Sequence, residues 1–139
     1  MATPKLDIYL FFDGNCAQAI RFYHEVLGGK LQAMMTYAES PDPQHCPPGS
    51  KDRIMHACID LDGRMLMASD TPAGQPHEGM KGASLSLSYS AVGEAKKTFD
   101  ALAQGGKVVM PMAKTFWAES FGMLTDRFGT SWMIGAGMK

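Results

Sequence analysis

The apolar pattern of the chain changes period twice in its first half, and the changes predict an order of elements. "IYLFF" (Ile8–Phe12) is an unbroken apolar run closed by Asp13-Gly14, as a buried strand would be. Beyond it, Ala17, Ile20, Phe22, Tyr23 and Leu27 recur at helical spacing, with Asn15 placed as N-cap and Gly28-Gly29 as the stop. Period two returns over residues 31–37, and again in "RIMHACIDL" and "RMLMAS", which meet at Asp62-Gly63, a strong two-residue hairpin signal. Between these strands, "AESPDPQHCPPGSKD" reads as a Pro-rich loop long enough to be functional or mobile.

The second half repeats the first. "FYHEVLGGKL" aligns with "FDALAQGGKV" at an offset of 77 residues, which also lays Ile8–Phe12 on Leu85–Tyr89. There Ala95, Phe99 and Leu102 share a helix face, Ser90 stands near the cap, and Gly105-Gly106 stops the helix. A strand over residues 107–110, the loop "PMAKTFWAE", and the strands "SFGMLTD" and "TSWMIG" turning at Phe128-Gly129 complete the copy. Gly63 falls on Gly129 at an offset of 66, so the second copy has eleven fewer residues in its connecting loop. Each half is βαβββ: module 1 spans about residues 4–70, module 2 about 82–137, and "DTPAGQPHEGMKG" links them. Neither half covers both faces of its own sheet. The prediction is therefore one α+β domain over residues 1–139, a curved eight-stranded sheet with helices outside.

Bulk properties narrow the function. A chain of 139 residues with 45% hydrophobic content suits one core. The net charge of −1, with no block of like charge, argues against nucleic-acid and membrane-surface partners. No apolar run approaches the roughly 20 residues of a membrane span, and the first residues lack a signal-peptide pattern. Three cysteines without C-x-x-C spacing fit a reducing compartment, so a cytoplasmic protein is expected. Twelve methionines are many; they read first as core filler and second as the lining of an adaptable binding surface.

The strings "FFDGNCAQAIRFYHEVLGG", "IMHACIDLDGRMLMASD" and "KTFWAESFGMLTDRFGTSWMI", in paired βαβββ modules, resemble the vicinal oxygen chelate superfamily of glyoxalase I, extradiol dioxygenases and bleomycin-resistance proteins. Within it they look most like the PhnB-like branch. The resemblance implies a ligand cavity between the modules and commonly a homodimer, but no particular activity. Some PhnB-like proteins carry a demethylubiquinone-methyltransferase label; this chain has no Gly-rich loop after a strand of a doubly wound unit to support it.

Superfamily enzymes hold a divalent cation with His, Gln or Glu from the first and last strands of each module. The corresponding windows here, residues 7–9, 64–67, 84–86 and 132–134, offer one carboxylate, Asp7, and no histidine or glutamate. Met67 and Met133 stand at the expected ligand positions, and thioethers are poor partners for a hard or borderline dication. No cofactor is therefore expected, an atypical divalent metal being the less favoured option.

The remaining candidates are few. His56 either faces the cavity as a general acid/base or packs as a satisfied histidine under a helix. Cys58 shares its face, yet i,i+2 residues on a strand lie roughly 7 Å apart, beyond hydrogen-bond reach. Trp117, in a loop with no regular core face, either closes over a ligand or packs against a partner subunit or the barrel mouth, with Glu119 the nearest carboxylate. Ser84, Ser86 and Ser88 alternate with leucines, as suits a roomy concave surface, and Ser86 is the ligand-binding candidate among them. Asp70 and Asp126-Arg127 read as turn and hairpin stabilisers. Two classes result: a metal-free protein binding a small, oxygenated metabolite, with His56, Trp117, Ser86, Met67, Met133 and Glu119 as site residues, or a lyase- or isomerase-type enzyme with an atypical metal.

Overall fold

The computed structural model describes residues 3–40 and 46–138. The chain divides into two units, Met1–Glu78 and Gly79–Lys139. Unit 1 runs β1 (Ile8–Phe12), α1 (Cys16–Leu27), β2 (Lys30–Thr36), β3 (Ile54–Leu61) and β4 (Arg64–Asp70). Unit 2 runs β5 (Leu85–Tyr89), α2 (Val92–Ala103), β6 (Lys107–Ala113), β7 (Ser120–Thr125) and β8 (Ser131–Ala136). Each is βαβββ and folds as its own four-stranded sheet, in the orders β1-β4-β3-β2 and β5-β8-β7-β6.

The pairing registers carry the duplication residue by residue. Parallel pairing places Ile8 opposite Leu66 in unit 1 and Leu85 opposite Trp132 in unit 2, which keeps both sequence offsets. Cys58 faces Met67 where Met123 faces Met133, and Ala33 faces Cys58 where Met110 faces Met123. The Gly-Gly steps match as well. A Cβ on Gly29, at φ +78°, would lie 2.5 Å from the Asp60 carbonyl oxygen, and one on Gly106 would strike the Thr125 carbonyl oxygen. At both places the backbone passes too close to the neighbouring strand for any side chain.

One face of each sheet packs on its helix. In unit 1, Cys16, Ala19, Ile20 and Tyr23 of α1 are buried, along with Leu10, Phe12, Ala57, Ile59, Leu66 and Ala68 of the strands. In unit 2, α2 buries Ala95, Thr98, Phe99 and Leu102, with Leu124, Trp132, Ile134 and Ala136 beneath it. Trp132 thus belongs to the core of the last hairpin. The β3–β4 turn has φ of 54° at Asp62 and 93° at Gly63, the left-handed pair that two-residue hairpins require.

Two local expectations are revised. Asn15 precedes α1 but makes no side-chain cap; the first N–H groups are instead satisfied from the far end of β4, where Asp70 Oδ1 accepts from Gly14 N at 2.8 Å and Cys16 N at 3.0 Å. The strand expected to end at residue 110 continues through Pro111 to Ala113. β6 is an edge strand with register shifts around Met110, so a residue without an N–H is accommodated there.

Candidate functional site

Alternation along the strands of unit 1 turns Tyr9 and Phe11 of β1, Met65, Met67 and Ser69 of β4, and His56, Cys58 and Asp60 of β3 away from α1. His56 therefore lies on the open face rather than under the helix. Its Nδ1 is 3.2 Å from Tyr9 Oη, and the two rings stack at 5.8 Å between centroids with 30° between their planes. Phe11 extends the row, its ring 5.2 Å from that of Tyr9. Tyr9 and Phe11 remain 40% and 53% exposed, so this aromatic row is not there to fill the helix-side core. Met67 is the direct neighbour of both Tyr9 and Cys58 in the sheet.

Cys58 turns from His56 toward Met65, Sγ to Sδ 3.6 Å, and burial, then the carboxylates of Asp60 and Asp7, raise its thiol pKa while Lys5 works against them. A thiol held protonated in this way is not a nucleophile poised by the imidazole. Cys16 is held more firmly: burial first and the Asp70 carboxylate second push it from 9.0 up to about 12. Native protein is therefore expected to alkylate rapidly at Cys46 alone, with Cys58 slower and Cys16 protected until unfolding, counted by mass spectrometry after iodoacetamide treatment. Rapid modification of Cys16 would contradict the burial argument. The pH dependence has a definite sign. Since the unfolded thiol ionises near 9.0 and the folded one near 12, the Cys16 contribution is intact below that window and is lost as pH rises through it. Cys16→Ala should flatten that alkaline loss.

On unit 2 the open face carries Ser86 and Ser88 of β5, Met133 of β8, Phe121 and Met123 of β7, and Met110 of β6. Ser86 and Met133 are direct neighbours. Trp117, 37% exposed, meets the Phe121 ring edge-on at 5.4 Å and Phe116 at 4.8 Å. The backbone N–H of Trp117 donates to Thr115 Oγ1 at 3.3 Å, and Thr115 N donates to the Ala118 carbonyl, which gives the loop a fixed turn. Glu119 N donates to Ala136 O and its side chain lies against Gly137, beside the C-terminal segment. The sequence candidates thus sort into His56 and Met67 on unit 1, and Ser86, Met133, Trp117 and Glu119 on unit 2. Tyr9 and Phe11 were missed. Their signal was present as two aromatics at i,i+2 in "IYLFF", opposite Leu10 and Phe12.

At the strand windows compared above with the family's cation positions, unit 1 carries Tyr9 beside Met67 and unit 2 carries Ser86 beside Met133. Asp7, the one carboxylate nearby, already accepts the Met65 N–H at 2.9 Å. Among the described residues no group of three or more His, Cys, Asp or Glu gathers to hold an ion. Thioethers, a phenol and hydroxyls do not fit a hard or borderline dication. An open cleft of about 460 Å³ by the β3–β4 turn is lined by Pro4, Lys5, Leu6, Asp62, Gly63 and Arg64. Its lining has no aromatic or imidazole side chain.

Comparison with known proteins agrees with this architecture. The family model described as Glyoxalase/Bleomycin resistance protein/Dioxygenase superfamily matches residues 5–134. Protein YjdN of Escherichia coli (strain K12) is 38% identical over 138 residues, covering 93% of this chain and 92% of that protein. The crystal structure of protein PA1353 from Pseudomonas aeruginosa is 46% identical with a TM-score of 0.91, covering 99% of this chain and 100% of that one. A PhnB protein from Bacillus cereus is 25% identical with a TM-score of 0.79, covering 96% and 99%. No helix among the described residues is long and apolar enough to cross a membrane.

Proposed function

The chain belongs to the Glyoxalase/Bleomycin resistance protein/Dioxygenase superfamily, and from that premise we propose that it is a PhnB-like protein that binds a small, oxygenated metabolite without the superfamily's usual divalent cation. One observation carries this reading: the open face of unit 1 presents solvent-facing aromatic rings beside a hydrogen-bonded Tyr9–His56 pair, with thioether neighbours at positions where a metal would need harder donors. Such a surface offers apolar area for a ligand body and polar atoms to orient it. Met67 supplies soft contact beside the rings. On unit 2, Ser86, Met133, Trp117 and Glu119 are the corresponding ligand-binding candidates.

A second reading, a lyase- or isomerase-type enzyme with an atypical metal, draws on the same Tyr9–His56 contact, since an imidazole in that position is a ready general acid/base. The two separate on metal. Purified protein is expected to contain no stoichiometric metal, and its melting temperature to move by less than about 1 °C with nickel, zinc, manganese or iron. A site at a hundredfold excess over Kd would stabilise by about 2.7 kcal/mol, which is roughly 5–10 °C in a chain of this size. Stoichiometric metal with such a shift would reinstate the enzyme reading. Small oxygenated metabolites are expected to raise the melting temperature where the metals do not. The reading also takes the protein to be a cytoplasmic homodimer, which light scattering would report as twice the chain mass.

A further inference from the structure

We infer that Tyr9 and His56 are a proton-holding pair for a flat conjugated ligand with a single acidic oxygen, a phenol or enol, laid beside the Tyr9–Phe11 rings; this rests on the small-molecule reading above. The duplication supplies an internal control. The position of Tyr9 is filled in unit 2 by Ser86, since Tyr9 faces Met67 as Ser86 faces Met133. That of Phe11 is filled by Ser88, and that of His56, two residues before the Cys58/Met123 pair, by Phe121. The same fold thus forms with no phenol and no imidazole at these places, and with serines in place of the Tyr9 and Phe11 rings. The pair is not a requirement of the βαβββ module. Nor is it a burial device: the tyrosine that fills the core of unit 1 is Tyr23, fully buried, while Tyr9 keeps 40% of its surface exposed.

The chemistry of the pair defines its ligand. In the Tyr9–His56 contact the phenol has a proton to give, so it donates and an imidazole in its neutral form accepts at Nδ1. That leaves the ring proton on Nε2, whose N–H is free among the described residues to donate to an anionic oxygen. If the ligand arrives protonated, the other imidazole tautomer serves it: its O–H donates to Nε2, Nδ1–H donates to Tyr9 Oη, and the Tyr9 hydroxyl hydrogen turns away from the ring. Either way one ligand oxygen is served, not two vicinal ones. The remaining contacts on this face, the rings of Tyr9 and Phe11 and the thioether of Met67, favour a flat π-system.

The test uses 4-nitrophenol, whose visible absorbance reports its ionisation, against nitrobenzene, which has the same ring and no hydroxyl. Wild-type protein is expected to bind the ionised phenol preferentially and so lower its apparent pKa. Tyr9→Phe and His56→Gln should each weaken nitrophenolate binding tenfold or more and abolish that shift, with nitrobenzene binding and melting temperature unchanged. A merely structural role would move the last two readouts as well. Equal affinity of the variants for nitrophenolate, or no preference over nitrobenzene, would overturn the inference. If neither aromatic binds while another oxygenated metabolite raises the melting temperature, the pair is wrongly assigned and the binding reading survives. If nothing binds, both fall.

Discussion

Asp126→Ala is expected to destabilise the protein by about 3–5 kcal/mol, because it strips the acceptor from buried donors in the last hairpin. Asp126 is 3% exposed. Its Oδ1 accepts from Phe128 N at 2.9 Å and Thr130 N at 3.0 Å, and its Oδ2 from Trp132 Nε1 at 2.8 Å. The first two bonds shape the turn through Gly129, which has φ +92°. The third ties the turn to the largest fully buried side chain of the molecule. Alanine would leave an indole N–H and two backbone N–H groups without this acceptor, at a site where Thr130 and Trp132 are themselves buried. Asn is a poor substitute, since its amide has one acceptor oxygen, and its NH2 would face a donor on the other side. Urea unfolding should show the midpoint of Asp126→Ala falling with the slope unchanged, and melting should drop by roughly 6–20 °C. Near-ultraviolet dichroism of Trp132 should weaken in the native baseline. A loss below about 1 kcal/mol would mean that the turn finds other acceptors, and this account of the hairpin would be wrong.

The hairpin also shows what a single sequence can disclose. Strict alternation in "SFGMLTD" separates Phe121, Met123 and Thr125 from Gly122 and Leu124, and the registers place the two sets on opposite faces as expected. Gly-Gly stops and the Asp62-Gly63 turn are local signals, readable because their backbone angles exclude most other residues. The duplication was legible for the same reason, since both copies need a glycine where the chain passes close to the next strand. The orientation of His56 was not legible. In "IMHACIDL" His56 shares its face with Ile54 and Cys58 as well as Asp60, so the period-two contrast with Met55, Ala57, Ile59 and Leu61 was too weak to assign the imidazole to one side. Its partner Tyr9 lies 47 residues away and reaches it only because β1 and β3 both flank β4, a topological fact that local pattern does not contain. The cap of α1 failed in a related way. Asn15 was the nearest polar residue, but the cap comes from a carboxylate more than fifty residues downstream.

That carboxylate carries the second large effect. Asp70→Ala is expected to cost about 2–4 kcal/mol, combining the loss of a helix cap with orphaned backbone donors. Asp70 is 2% exposed; besides Gly14 and Cys16, it accepts from Ile54 N at 2.9 Å through Oδ2, so one side chain joins the end of β4, the start of α1 and the start of β3. Its negative charge also sits at the positive end of the helix dipole. Unit 2 shows that the module can be built otherwise. There Ala136 faces Tyr89 as Asp70 faces Phe12, and α2 begins at Val92 behind Ala91, with no side-chain cap and Glu94 in its first turn. The cost of Asp70→Ala should therefore appear as loosening of α1 and the β3 start rather than loss of the whole fold. Hydrogen exchange would locate it at the amides of Gly14, Cys16 and Ile54. A second readout follows from Cys16, whose thiol is raised first by burial and then by Asp70. Without the carboxylate its pKa should fall part of the way, and alkylation in the native state should accelerate. Unchanged exchange at those three amides, together with an unreactive Cys16, would show that the cap is redundant and that burial alone holds the helix start in place.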